Sequence, residues 1–245
     1  MNNTIAIIAG EPNSISSEII FKSWKLKKKY IHKPFFIIGN IQLLNLQMKK
    51  LKYKIGIKEI RRNFKVKDLK GSKLPVYNIK YKQKKPFEKI TKKSNKYIFE
   101  CFNAALQFAK DKKIIGFINC PVAKEYLFKD KHMGITEFLS KKINKKNNEV
   151  MLIYNKELSV SPITTHIPLD QVTKKINHIN IVKKIKIINN FYKKNFKRKP
   201  YFGILGLNPH NYFQSKKSKE KKMIEKTMKN LNKIKIKAKG PISPD

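Results

Sequence analysis

Short apolar runs bounded by turn residues alternate along this chain with longer segments whose apolar residues recur every three or four positions. No other feature restricts the fold as much. The short runs lie at 5–9, 34–38, 76–79, 114–119, 150–154, 160–164 and 202–207, and they read as strands. Helical spacing fits 16–28, 41–51, 94–110, 135–142, 177–196 and 218–231. Within 94–110, Tyr97, Ile98, Cys101, Ala104, Ala105 and Phe108 form one stripe, which predicts a core-facing helix. The alternation implies an α/β fold with a largely parallel sheet covered by helices on both faces. The lysine-rich stretch 80–96 contains Pro86 and lacks periodicity, so it reads as a surface loop. No internal repeat is visible.

A chain of 245 residues that is 40% apolar buries a real core, as one large or two small domains. No stretch approaches the ~20 apolar residues of a membrane span. The opening MNNTIAIIAGEP lacks a basic leader region and predicts a first β-strand rather than a secretory signal. Cys101 and Cys120 supply neither a disulfide framework nor paired-thiol metal spacing. Together these features predict a cytoplasmic protein with no membrane partner.

The formal net charge of +41 points towards nucleic acid. The type of basic residue points the other way. Of 57 basic side chains only Arg61, Arg62 and Arg198 are arginines, leaving 54 lysines. Base readout and phosphate forks favour the planar guanidinium. The lysines are scattered over every predicted helix and loop beside many Ile and Asn, as drift in an A/T-rich genome would produce. No specific nucleic acid is expected, although salt-sensitive polyanion binding would follow from the charge.

Two segments place a histidine where a buried strand is expected to run out into a loop: Thr164-Thr165-His166-Ile167-Pro168-Leu169 and Gly206-Leu207-Asn208-Pro209-His210. Ligands of α/β sheets gather outside the carboxyl ends of the strands. Two neutral imidazoles delivered there suit one divalent metal. A lone histidine in such a place more often caps a turn or packs.

The wording around the histidines narrows the reading. TTHIPL and GLNPH, taken with GEPNSISSE (10–18), CPVAK (120–124), GITEFL (134–139) and GPISPD (240–245), resemble the 4-hydroxythreonine-4-phosphate dehydrogenase family of pyridoxal 5′-phosphate biosynthesis. The six segments run in the family's order and at similar spacing. The resemblance implies two α/β/α domains flanking a cleft, as in isocitrate and isopropylmalate dehydrogenases, with domains at 1–125 and 126–245. It implies a homodimer with its site at the interface. It also implies oxidation of 4-phosphooxy-L-threonine by NAD or NADP, followed by decarboxylation to 3-amino-2-oxopropyl phosphate.

By the same resemblance His166 and His210 are metal ligands, for zinc, cobalt or magnesium; nitrogen donors lean towards zinc or cobalt. Thr136 matches a substrate-contacting threonine, and it also suits a helix N-terminus beside Glu137. The family has a histidine where this chain has Ile135, which removes a hydrogen-bonding group from the substrate pocket. Ser14 and Ser16 stand where the family has glycines, and the segment is no dinucleotide fingerprint. NAD(P) is therefore expected from the resemblance alone, with no cofactor-binding residue assigned. Asp245 matches an acidic residue near the family's site. Lys124 follows a strand, although solvent exposure is the expectation for any one lysine here. His32 and His178 read as surface positions, and His132 has no motif of its own.

The family's third metal histidine follows GPISPD. The chain therefore reads as C-terminally truncated, with little or no dehydrogenase activity expected. Three alternatives stay open: a dehydrogenase of 4-phospho-threonate or 4-phospho-erythronate, an inactive remnant, or a lysine-rich nucleic-acid-binding protein.

Overall fold

The computed structural model describes residues 3–30, 33–128, 134–143, 148–165, 167–206 and 219–243. The chain divides into two compact units, Met1–Lys131 and His132–Asp245.

The first unit is built on five strands, β1 (Ile5–Ile8), β2 (Phe35–Gly39), β3 (Ile57–Ile60), β4 (Leu74–Asn78) and β5 (Gly116–Asn119). They form one sheet in the order β3-β4-β2-β1-β5, and every pairing is parallel. Three helices connect them: α1 (Ser16–Tyr30), α2 (Ile41–Lys50) and α3 (Asn95–Lys110), with a short α4 (Lys124–Leu127) after β5. Side chains alternate across a strand, so neighbouring residues of β2 report which helix lies on which face. The Trp24 ring of α1 meets Phe35 edge-on at 5.3 Å, whereas Phe108 of α3 meets Phe36 at 5.3 Å and Tyr77 at 5.0 Å. Helices α1 and α3 therefore cover opposite faces. All five residues of β2 are buried, which is why it is a continuous apolar run with no alternation.

Most predicted elements of this unit lie within two residues of those found. Strand β3 went unpredicted because IKEI carries two charges; it is an edge strand, where outward lysine is ordinary. In α3 the buried set is Tyr97, Ile98, Cys101, Phe102, Ala105 and Phe108, so Phe102 takes the place expected for Ala104.

The second unit holds α5 (Ile135–Lys142), α6 (Leu169–Lys175), α7 (His178–Phe196), β6 (Phe202–Leu205), α8 (Lys219–Lys233) and β7 (Ala238–Ile242). Strands β6 and β7 pair in parallel across the α8 crossover. Ile181 and Ile185 of α7, Leu231 of α8 and Ile236 form its core, with Phe202 and Ile204 packed against them.

One expectation fails here. The runs 150–154 and 160–164 are not strands; among the described residues they share a single antiparallel bridge, Ile153 to Val160. Nor is this segment buried, since Ile153 is 58% exposed and Leu158 72% exposed. An apolar run becomes a strand only where a neighbouring backbone takes its hydrogen bonds, and here just one pair of residues exchanges them, at 2.8 and 2.9 Å. Strand β6 is also only half covered, its burial alternating along its length.

Each helix carries at least one exposed lysine, so the basic charge is spread over the described surface of both units. No described helix is long and apolar enough to cross a membrane.

Candidate functional site

Two places bring together residues singled out in the sequence, one in each unit. The first lies at the carboxyl ends of the parallel strands. β1 runs into Gly10, whose φ is +71° and whose missing Cβ would sit 2.4 Å from the Pro121 carbonyl oxygen. Glycine is required here on both counts. The close approach lets the Glu11 N–H donate to that same carbonyl at 2.9 Å, joining the ends of β1 and β5. Glu11 is only 1% exposed. Its carboxylate accepts from Ser94 Oγ at 2.8 Å and from the Asn13 N–H at 3.2 Å.

Side chains of the 80–96 loop complete the arrangement. Gln83 donates to Asn13 Oδ1 at 2.8 Å, and the Glu88 N–H shares that acceptor at 2.8 Å. Gln47 of α2 donates to the carbonyls of Pro12 and Pro86. The predicted surface loop is thus pinned over the strand ends. Ser14 and Ser16, where glycines were expected, bond each other at 2.7 Å, and Ser14 also donates to the Glu11 carbonyl. The enclosed space, lined by Gly10, Glu11, Ser17, Asn40 and Tyr97, measures about 10 Å³. It has room for about one water molecule. Burial raises the Tyr97 phenol well above its usual pKa, and the Asn40 N–H donates to its oxygen at 3.1 Å. Burial likewise pushes the Cys120 thiol up to about 11 and keeps it unreactive.

The second place is the start of α5. Gly134 is the N-cap, Ile135 is partly buried, and Thr136 is exposed in the first turn. Glu137 follows, and its Oε1 accepts from Thr165 Oγ1 at 3.2 Å. Its Oε2 is buried with no hydrogen-bond partner among the described residues. One turn on, Ser140 donates to Glu149 Oε2 at 2.7 Å. Lys184 of α7 is partly buried near both carboxylates; desolvation lowers its pKa, and the charges of Glu149 and Glu137 oppose that shift. The GITEFL helix and the TTHIPL loop, separated by 28 residues at their contact, therefore meet through Glu137 and Thr165.

The remaining site residues divide as follows. His166, His210 and Asp245 lie outside the described residues, as do His32 and His132. Lys124 is exposed at the start of α4, and His178 is partly buried as the first residue of α7. Among the described residues no three His, Cys, Asp or Glu side chains cluster to hold a metal ion. Sequence reasoning missed the burial of Glu11 and the pairing of Glu137 with Thr165. The acidic residue inside each motif was the available signal, but nothing in the sequence says which acidic residue turns inward.

A family profile described as pyridoxal phosphate biosynthetic protein PdxA matches residues 31–245. The 4-hydroxythreonine-4-phosphate dehydrogenase of a Sulfurihydrogenibium species is 30% identical over 98% of this chain and 74% of its own length. The chain belongs to the PdxA family. The enzyme of that name from Aquifex aeolicus is also 30% identical, over the whole of this chain and 75% of its own length. A solved 4-hydroxythreonine-4-phosphate dehydrogenase from Klebsiella pneumoniae superposes with a TM-score of 0.82 at 22% identity, covering 99% of this chain and 76% of that one. At that identity the likeness establishes the fold, which is the α/β architecture of the isocitrate and isopropylmalate dehydrogenases. PdxA proteins with these names are oxidoreductases.

Proposed function

We propose that this PdxA protein oxidises the secondary alcohol of 4-phosphooxy-L-threonine with NAD or NADP. The product, 2-amino-3-oxo-4-phosphooxybutanoate, then loses carbon dioxide to give 3-amino-2-oxopropyl phosphate in pyridoxine 5′-phosphate biosynthesis. Family membership over 31–245 carries this reading. The contact between the GITEFL helix and the TTHIPL loop supports it, because it joins the two segments assigned to substrate and to metal.

His166 and His210 are the proposed ligands of a divalent cation. Two imidazoles suit zinc or cobalt. When bound, a metal would act as a Lewis acid towards the substrate oxygen, and NAD(P) would accept the hydride. The protein's own part is to hold the substrate. Thr136, exposed in the first turn of α5, offers a hydroxyl and a first-turn N–H at a helix N-terminus, which suits the substrate phosphate. Ile135 offers none, so it shapes the pocket without bonding to it. Asp245 is the proposed acidic residue of the site.

Exposed Met151, Ile153, Leu158 and Val160 in one segment support a homodimer, whose interface would complete the site. A reduced, cytoplasmic setting agrees with the two free, buried cysteines.

The test combines calorimetric binding of 4-phosphooxy-L-threonine, with and without zinc or cobalt, with NADH formation. Saturable, metal-dependent substrate binding that is lost in His166→Ala and His210→Ala is expected. Binding that ignores metal and both substitutions would overturn the reading. Ile135 favours one alternative substrate class, 4-phospho-threonate or 4-phospho-erythronate. A higher kcat/KM for either would reassign the substrate within the same chemistry.

A further inference from the structure

Glu137 combines three properties that a surface glutamate in the first turn of a helix does not need. One carboxylate oxygen is committed to a hydroxyl 28 residues away, Thr165 Oγ1, at 3.2 Å. The other is buried and has no partner among the described residues. A half-buried lysine, Lys184, is close enough for its charge to feel both Glu137 and Glu149. A glutamate that served only the helix dipole would do so from solvent and would lose nothing by staying there. Withdrawing a carboxylate from water without filling its hydrogen bonds costs stability, and buried unsatisfied groups of this kind mark places with another task.

The chain neighbours indicate the task. Thr136, proposed to touch substrate, precedes Glu137; His166, proposed to hold the metal, follows Thr165. Consecutive Cα atoms are about 3.8 Å apart, so the bond between Glu137 and Thr165 joins the two chain positions directly adjacent to these functional residues. We propose that Glu137 is a positioning residue that, through Thr165, locks the metal-bearing loop to the substrate-contacting turn of α5. Ser140, one turn along the same face, is tied to Glu149 at 2.7 Å, so this face of α5 is anchored at two successive turns.

This inference rests on His166 being a metal ligand, and its test separates the two ideas. Zinc affinity is measured by competition with a chromogenic chelator, and the cobalt absorption spectrum is recorded, for the whole chain and for Glu137→Ala, Glu137→Gln, Thr165→Val and the Glu137→Ala/Thr165→Val pair. Loss of a group that orients a metal ligand weakens metal binding by roughly 10–100-fold. Glu137→Ala and Thr165→Val are each expected to fall in that range and to shift the cobalt bands. The double variant should be no weaker than the poorer single one, because both remove the same bond. Glu137→Gln should keep most of the affinity, since an amide oxygen still accepts the Thr165 hydroxyl. Variants that melt earlier but bind zinc normally, with an unshifted cobalt spectrum, would overturn the positioning role. Where Glu137→Ala fails to fold, Thr165→Val decides alone, because it removes only a hydroxyl. A wild-type chain that binds neither zinc nor cobalt would overturn the ligand assignment itself, and the inference with it.

Discussion

Strand β2 and the segment 150–160 are both apolar, yet the first is buried at every residue and the second stands largely in solvent. The difference lies in their surroundings. β2 has a parallel partner on each edge and helices over both faces, so its backbone and side chains are all satisfied within its own unit. The 150–160 segment has one bridge, and Val150, Leu152, Tyr154, Ile188, Phe191 and Phe196 line an open groove of about 480 Å³ beside it. Apolar sequence states a need for burial; whether the unit can meet it alone is a matter of what else folds beside it. The first unit meets it, and the second leaves an apolar face suited to association.

The sharpest way to break this comparison is to cut into the covered side. Phe36 is fully buried and packs against Phe64 and Phe108 at 4.9 and 5.3 Å. Phe36→Ala should cost about 3–5 kcal/mol in denaturant unfolding. A loss below about 1 kcal/mol would show that the first unit's core is far looser than its geometry.

A pH titration sharpens the contrast, because both cysteines lie in the first unit. The Cys120 thiol is raised from 9.0 to about 11 by burial. Its neutral form is thus favoured in the folded state, and its contribution is intact below pH 9. Above that the unfolded chain ionises first, and stability falls until about pH 11. Cys120→Ala should lose on the order of 2 kcal/mol less than the parent across that window. Identical alkaline unfolding of the two would remove Cys120 from the account.

A smaller effect is expected at Asn40, where the turn from β2 into α2 is held. Its Oδ1 accepts from the Leu43 N–H at 2.8 Å and its Nδ2 donates to the Ile79 carbonyl at 2.9 Å. Asn40→Ala should cost about 1–2 kcal/mol, read as a lower thermal midpoint. An unchanged midpoint would mean that water replaces both bonds.

The smallest change in unfolding belongs to the exposed face. Ile153→Ser should alter the stability of the isolated protomer by no more than about 0.5 kcal/mol. It should, however, weaken self-association in light scattering. A strongly destabilised protomer would mean that the segment is core after all; unchanged association would move the proposed dimer contact elsewhere.

The sequence made the first unit legible because its elements obey local rules. Alternation of short apolar runs with amphipathic stretches located β1, β2, β4, β5 and their helices, and α5 was placed at its observed residues 135–142. Three misses share one cause. IKEI at 57–60 is a strand because β4 offers it an edge, while the more apolar 150–154 and 160–164 are not strands, since only one residue pair there finds a partner. Pairing is a property of the neighbour. The candidate site was legible as motifs, and their order placed the chain in its family before any coordinate did.

Residue types and spacing by themselves determined the α/β class, the helical stripe of α3 and the six segments that mark a PdxA protein. They could do so because side-chain periodicity and motif order are properties of the chain read one residue after another. Only the tertiary structure decided that Glu11 is buried against Ser94, that the 80–96 loop closes over the strand ends, and that Glu137 reaches Thr165. Each of these depends on a partner between 28 and 83 residues away. Which distant group arrives within hydrogen-bond reach is set by the packing of helices on a twisted sheet, and no local pattern encodes it.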